Sequence, residues 1–154
     1  ALPISTPDIP RPGYAYYEQD LESRTFGVVV DTSGSMSAKQ IGMALGSIAS
    51  YAAAKDVPFV RIIFCDAKAT DAGYLAPEDI AGRVKVTGRG GTILQPGVDC
   101  LEQANDFPKD GPILIITDGE IENDLKVRRE HAFLLPRGNR LPFRARGEVF
   151  YFRE

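Results

Sequence analysis

The sequence predicts a three-layer α/β fold, doubly wound around a mostly parallel sheet with one antiparallel edge strand. Three observations point there. Short β-branched apolar runs recur along the chain, as RTFGVVVD at 24–31, VPFVRIIFC at 57–65 and PILIITD at 112–118. The first and third lack the apolar–polar alternation of a half-exposed strand and read as strands buried on both faces; the second reads as a further strand. Between the first two lies a segment with helical spacing, and a second such segment precedes the third, which is the alternation that makes a parallel sheet covered by helices.

Each element follows in order. Residues 1–24 carry Pro3, Pro7, Pro10 and Pro12, a density that resists both helix and central strand. They read as a proline-rich arm or linker, with the folded domain running from 25 to 154. The chain opens on Ala1, with no visible signal peptide, and is expected to be part of a longer protein. After strand one, TSGSMS at 32–37 is a turn and helix-start signal. From Ala38 to Lys55 the residues Ile41, Ala44, Leu45, Ile48, Ala49 and Ala52 form one apolar helical face. Gly42 and Gly46, four apart, would let that helix approach the sheet closely, at some cost in helix propensity.

Asp66-Ala67-Lys68 reads as a tight turn after the second strand, with 69–75 returning as the antiparallel edge. Pro77 to Ala81 is one short helical turn, and TGRGGT at 87–92 is a glycine-rich loop. Val98, Leu101 and Ala104 give 95–105 a helical pattern. The stretch 121–129 is short for a helix, and 131–135 and 148–152 read as two final strands. The result is a Rossmann-like sheet of about six strands with helices on both faces.

Composition narrows the function. The chain has 154 residues, 44% hydrophobic and 25% charged, which suits one globular domain. A net charge of −3 gives no bulk electrostatic case for nucleic acid. No apolar run approaches the roughly 20 residues of a membrane helix. Cys65 and Cys100 fit neither a CxxC metal pattern nor a disulfide framework. They read as free thiols in a reducing cytoplasm.

Polar clusters stand where such folds place ligands. DTSGS at 31–35 follows the first strand, GGT at 90–92 lies in the glycine-rich loop, and TDG at 117–119 ends the strand that begins PILII. In open α/β sheets the ligand crevice lies beyond the carboxyl ends of the strands, where the strand order reverses. Together the clusters bring two carboxylates and three hydroxyls, without imidazole or thiolate. Hard cations such as Mg²⁺ take oxygen ligands, whereas soft-metal sites need nitrogen or sulfur.

These residues resemble the metal ion-dependent adhesion site of the von Willebrand factor A family, whose pattern is D-x-S-x-S, then a loop threonine, then an aspartate often within T-D-G. The resemblance implies a metal held at Asp31, Ser33, Ser35, Thr92 and Asp118. It implies direct contact from the three hydroxyls, contact through water from the two aspartates, and a shell completed by a partner's Asp or Glu. The short stretch after TDG makes the chain similar to the shortened A-like domain that ends bacterial metallopeptidase-associated proteins.

The expected function is therefore a metal ion-dependent protein-binding module in the cytoplasm, using Mg²⁺, Mn²⁺ or Ca²⁺. Its partner would be a protein, including a domain of the same full-length chain, rather than nucleic acid or membrane. No catalytic or further cofactor-binding residue is assigned, and an upstream domain would carry any catalysis. Two alternatives stand beside this. One is a metal-dependent hydrolase or phosphatase-like enzyme, although a phosphatase DxD motif would need an acid where Ser33 stands. The other is a metal-free structural module in which hydroxyls and carboxylates pair with each other.

Local alternatives are plainer. Ser33 or Ser35 could cap the following helix. GRGG at 88–91 could cradle phosphate, but the GxxxxGK[ST] pattern is missing. Asp66 reads as a turn former, Glu120 as a solvated loop residue and His131 as structural. The arginines at 128, 129, 137, 140, 144 and 146 read as a solvated basic face, with docking of an acidic partner or an anionic surface as the alternative.

Overall fold

The computed structural model describes residues 25–33, 35–83 and 93–153. The proline-rich arm at 1–24 and the glycine-rich loop lie outside the described residues. Among the described residues there are six strands: β1 (Gly27–Asp31), β2 (Val60–Cys65), β3 (Ala69–Leu75), β4 (Ile113–Ile116), β5 (His131–Pro136) and β6 (Glu148–Phe152). Three helices accompany them among the described residues: α1 (Ala38–Ala54), α2 (Pro77–Ile80) and α3 (Gln95–Gln103).

The strand order is β3-β2-β1-β4-β5-β6. Only the β2–β3 pair is antiparallel; the other four pairings are parallel. From β1 the chain builds outward through β2 to β3. It then crosses to the other side of β1 for β4 and builds outward again. The reversal between β1 and β4 is a topological switch point, where such sheets bind ligands. Register sets Val30 beside Ile116, so Asp31 and Thr117 leave the two strands at the same level.

The buried-on-both-faces reading of β1 holds, and β2 is buried throughout as well; in β4 the reading holds except at Leu114, which is half-buried. Val28, Val30, Ile62, Phe64 and Ile116 face one core, with Ile41, Leu45 and Ile48 of α1 and Ile80 of α2. Val29, Ile63, Ile115 and Phe133 face the other, with Val98 and Leu101 of α3. Burying side chains of this size is worth about 1.5–3 kcal/mol each, which is why an alternation of strands and amphipathic helices settles as three layers.

One glycine departs from expectation, and another makes the close approach. Gly46 faces open space, with no atom within 4 Å of where a Cβ would stand, so it does not mediate close packing of α1. Close approach occurs at Gly97 in α3, where a Cβ would come within 2.8 Å of Val29 and 3.1 Å of Cys65. The covering of the sheet is also uneven. Beyond α1, strands β4 to β6 leave a groove of about 890 Å³ whose walls include Phe26, Tyr51, Leu114, Ala132, Leu134 and Phe150. Residues 117–130 contain no helix, nor do residues 137–147. Among the described residues no helix is long and apolar enough to cross a membrane.

Candidate metal centre

The site begins where β1 stops. Asp31 is fully buried at the end of the strand. Its Oδ1 accepts from the backbone N–H of Ser33 at 2.9 Å, a local turn that Asp favours because its side chain reaches two residues on. That turn faces Ser33 toward Ser35, whose hydroxyl oxygens lie 3.1 Å apart. Ser33 is buried and Ser35 exposed, so the pair runs from the sheet edge to solvent.

The capping alternative for these serines is overturned. The cap of α1 is Ser37, whose hydroxyl accepts from the Gln40 N–H at 3.0 Å. The Gln40 side chain accepts in turn from the Ser37 N–H at 3.1 Å. This reciprocal capping box satisfies the helix start, and leaves the Ser33 and Ser35 hydroxyls to each other.

From β4, Thr117 and Asp118 approach the same point. The Thr117 hydroxyl donates to Asp31 Oδ2 at 2.8 Å and accepts from the Gly119 N–H at 3.1 Å. Asp118 Oδ1 accepts from the Glu120 N–H at 3.0 Å. Gly119 takes φ +91°, a left-handed conformation open mainly to glycine. A Cβ there would lie 1.8 Å from the Arg140 carbonyl oxygen. Asn139 donates its side-chain N–H to the Asp118 carbonyl at 2.9 Å. The loop after β5 thus buttresses the loop after β4.

Burial pushes the Asp31 carboxyl above its ordinary value, and the nearby Asp118 charge adds to that; hydrogen bonds from Ser33 and Thr117 act in the opposite direction. A buried carboxylate opposed by a second one is a place where a cation is stabilising.

The GGT cluster at 90–92, Thr92 with it, lies outside the described residues, and so does Gly34. Ile93, the next residue after Thr92, has its carbonyl bound by the Ala67 N–H at 3.1 Å. Ala67 follows β2 closely, and Cys65 at the end of β2 takes the Thr32 N–H on its carbonyl at 3.0 Å. The chain resuming at Ile93 therefore lies along the same edge of the sheet. It is fixed there by Glu122, whose carboxylate accepts from the N–H groups of Leu94 and Gln95 at 2.9 Å each.

The structure brings Asp31, Ser33, Ser35 and Asp118 to one edge, at the switch point. It adds Thr117, Glu122 and Asn139, which sequence reasoning did not single out. Thr117 stood inside the quoted TDG and could have been found from its place at a strand end. Glu122 and Asn139 act across the fold, and nothing in local spacing marks them.

The remaining sequence readings fall into place. His131 starts β5, at the opposite end of the strands from Asp31; its Nδ1 lies 2.8 Å from the Arg129 carbonyl oxygen and its ring packs edge-on to Phe133. Asp66 lies in the bend between β2 and β3, and Glu120 is exposed. Cys65 and Cys100 are free thiols, and burial raises both above the ordinary thiol value.

The donor chemistry fits a hard cation. Asp31, Asp118, Ser33 and Ser35 offer oxygen alone. Among the described residues no group of three or more His, Cys, Asp or Glu could hold a metal ion. A cation at this edge would accordingly depend on the serine hydroxyls.

No curated protein matches the chain in sequence. A family model described as VWA-like domain (DUF2201) matches residues 26–128, which contain β1 to β4 and every residue of the edge just described except Asn139 and Arg140. With that match and a mostly parallel Rossmann-like sheet carrying one antiparallel edge strand, the chain belongs to the VWA-like domain family.

Proposed function

We propose that this domain is a metal ion-dependent protein-binding module. Asp31, Ser33, Ser35 and Asp118, with Thr92, would hold Mg²⁺, Mn²⁺ or Ca²⁺. An Asp or Glu of a protein partner would complete the shell. The observation that carries this reading is the convergence of two carboxylates and a paired serine couple, oxygen donors only, at the switch point of the sheet.

When bound, the cation supplies a Lewis-acidic point that attracts an anionic oxygen. The chain's own residues do the rest. The Ser33 N–H and the Thr117 hydroxyl hold Asp31 in one rotamer, and the Gly119 turn, backed by Arg140, aims Asp118. With the aspartates acting through water, the inner shell would hold mainly neutral hydroxyls, which favours a carboxylate from outside. Free Cys65 and Cys100 suit a reducing compartment, and the reading retains a cytoplasmic setting. The partner includes, as one case, another domain of the same full-length chain, and any catalysis would reside there.

The test is thermal unfolding of wild type, Asp31→Asn and Ser33→Ala with Mg²⁺, Mn²⁺ or Ca²⁺ and with chelator. The Asn variant is chosen because Asp31 is buried and its neighbours need an acceptor. Wild type should gain about 2–3 kcal/mol at a metal concentration near one hundred times Kd, and both variants should lose most of that gain. An equal gain in all three proteins would place the ion elsewhere. Partner binding should fall in chelator and in Thr92→Ala; if neither changes it, binding uses another surface.

A further inference from the structure

The basic end of the chain is not absorbed by this reading. Between residues 137 and 153 stand five arginines and one glutamate, in a chain whose net charge is −3. The fold gathers three of the five. Pro136 ends β5, a turn closes through the Asn139 N–H on the Pro136 carbonyl at 3.1 Å, and the Arg137 N–H bonds the Phe152 carbonyl at 2.8 Å. Gly138 takes the left-handed conformation that the turn needs, at φ +94°. The result is a pocket of about 720 Å³ whose walls include Arg137, Asn139, Arg140, Phe150, Tyr151 and Arg153.

Several features make this a recognition surface rather than a solvated loop. All three arginines are exposed, and among the described residues the ion pairs join only Arg61 to Asp71 and Asp106. Phe150 and Tyr151 are 50% and 54% exposed beside them. β6 pairs only with β5, so among the described residues its outer edge has no strand partner. The pocket adjoins the loop that carries Asp118, because Asn139 bonds the Asp118 carbonyl and the Arg140 carbonyl packs on Gly119. It lies outside the family match, which ends at residue 128.

We propose that the Arg137–Arg140–Arg153 pocket receives an acidic segment of the protein partner, next to the carboxylate that enters the metal centre. The inference rests on the protein-binding reading for the class of partner. The geometry favours a peptide over other polyanions. Arginine presents a planar fork that carboxylates accept in pairs. The aromatic flank and the free β6 edge offer a peptide apolar contact and backbone pairing. A nucleic acid or anionic membrane would have to lie against Asp31 and Asp118 and a chain of net negative charge.

The probe is a fluorescein-labelled peptide of six glutamates, followed by anisotropy on the whole chain in Mg²⁺ and in chelator. The variants are Arg137→Gln with Arg140→Gln, Arg153→Gln alone, and Arg128→Gln outside the pocket as control. Because the side chains are exposed, unchanged melting temperatures are expected. The double variant should lose about tenfold in affinity and the single variant about threefold, in both buffers, with a steep fall on adding salt. The control should match wild type. Loss through the arginines that persists in chelator supports the pocket even if Mg²⁺ has no effect, which would count against the metal reading alone. Variants binding as wild type, or wild type failing to bind the peptide, would overturn the pocket whatever Mg²⁺ does. So would tighter arginine-dependent binding of labelled oligothymidine or of phosphatidylserine vesicles, which would make the partner a nucleic acid or a membrane.

Discussion

The Thr117 hydroxyl donates to the Asp31 carboxylate at 2.8 Å, joining the carboxyl ends of β4 and β1 across the switch point of the sheet. Both side chains are fully buried. The bond orients Asp31 and satisfies an oxygen that water does not reach. Thr117→Val keeps the shape and removes the donor to Asp31 together with the acceptor of the Gly119 N–H. Leaving such groups unsatisfied costs roughly 1–3 kcal/mol. Urea unfolding should show a loss in that range, and unchanged stability would mean that the bond contributes nothing.

Gly119 and Gly138 make a matched pair for testing steric contact. Both take left-handed φ, +91° and +94°. A Cβ at Gly119 meets the Arg140 carbonyl oxygen, whereas at Gly138 nothing lies within 4 Å. Gly138→Ala should cost only the backbone strain, about 1–2 kcal/mol. Gly119→Ala should cost clearly more, because the loops after β4 and β5 must separate. Equal melting temperatures for the two variants would count against the close contact.

Glu122 caps a helix that has no cap of its own. Leu94 stands at the α3 N-terminus without a side-chain capping bond, and Glu122 accepts from the Leu94 and Gln95 N–H groups instead. A carboxylate there satisfies backbone donors that the helix leaves unpaired and suits the positive end of the helix. Glu122→Gln should cost about 1 kcal/mol and speed hydrogen exchange at the Leu94 and Gln95 amides first. Exchange that quickens no more there than in β1 would show only a global effect.

The pH dependence should show at Asp71. Arg61, nearly buried on β2, bonds Asp71 through Nε and a terminal nitrogen and bonds Asp106 at 2.8 Å. The Arg61 side chain holds the Asp71 carboxyl below its ordinary value. A lowered folded value means stability that is fully present above the unfolded value, near 3.8, and lost as pH falls through the folded one. Asp71 is about one-third exposed, so solvent screens the pair and the contribution is about 1 kcal/mol. Asp71→Asn should be less stable than wild type at pH 7, and the gap should close below pH 3.8. A gap that stays constant down to the acid limit would mean that the charge on Asp71 contributes nothing.

How much of this was legible in the chain itself follows from the range of each interaction. Strand and helix positions were readable because burial writes itself into local pattern: VVV at 28–30 and ILII at 113–116 have no polar face to give to water, and Ile41, Leu45 and Ile48 repeat with the turn of a helix. Asp31, Ser33, Ser35 and Asp118 were readable because a turn at a strand end needs few residues and those residues carry the oxygens. The choice between Ser33, Ser35 and Ser37 as helix cap was not readable, since all three stand within one turn and only backbone geometry selects Ser37 with Gln40. Gly46 misled for a related reason: helical spacing gives a face but not what faces it, and here it faces open space.

What only the tertiary structure decided are contacts between residues far apart in the chain. The sequence by itself determined the strands, the main helices and the oxygen-bearing turns, because each is encoded within a few residues. The strand order, which sets Asp31 beside Thr117, depends on how the strands are connected in space. Glu122 on the Leu94 and Gln95 amides and Asn139 on Asp118 depend on loops meeting after the sheet has formed. The same holds for Arg137 and Arg140, which read as part of a solvated basic face until the turn after β5 and the end of β6 bring them around one pocket with Arg153. Local pattern records which side chains must leave water; the folded chain decides which of them meet.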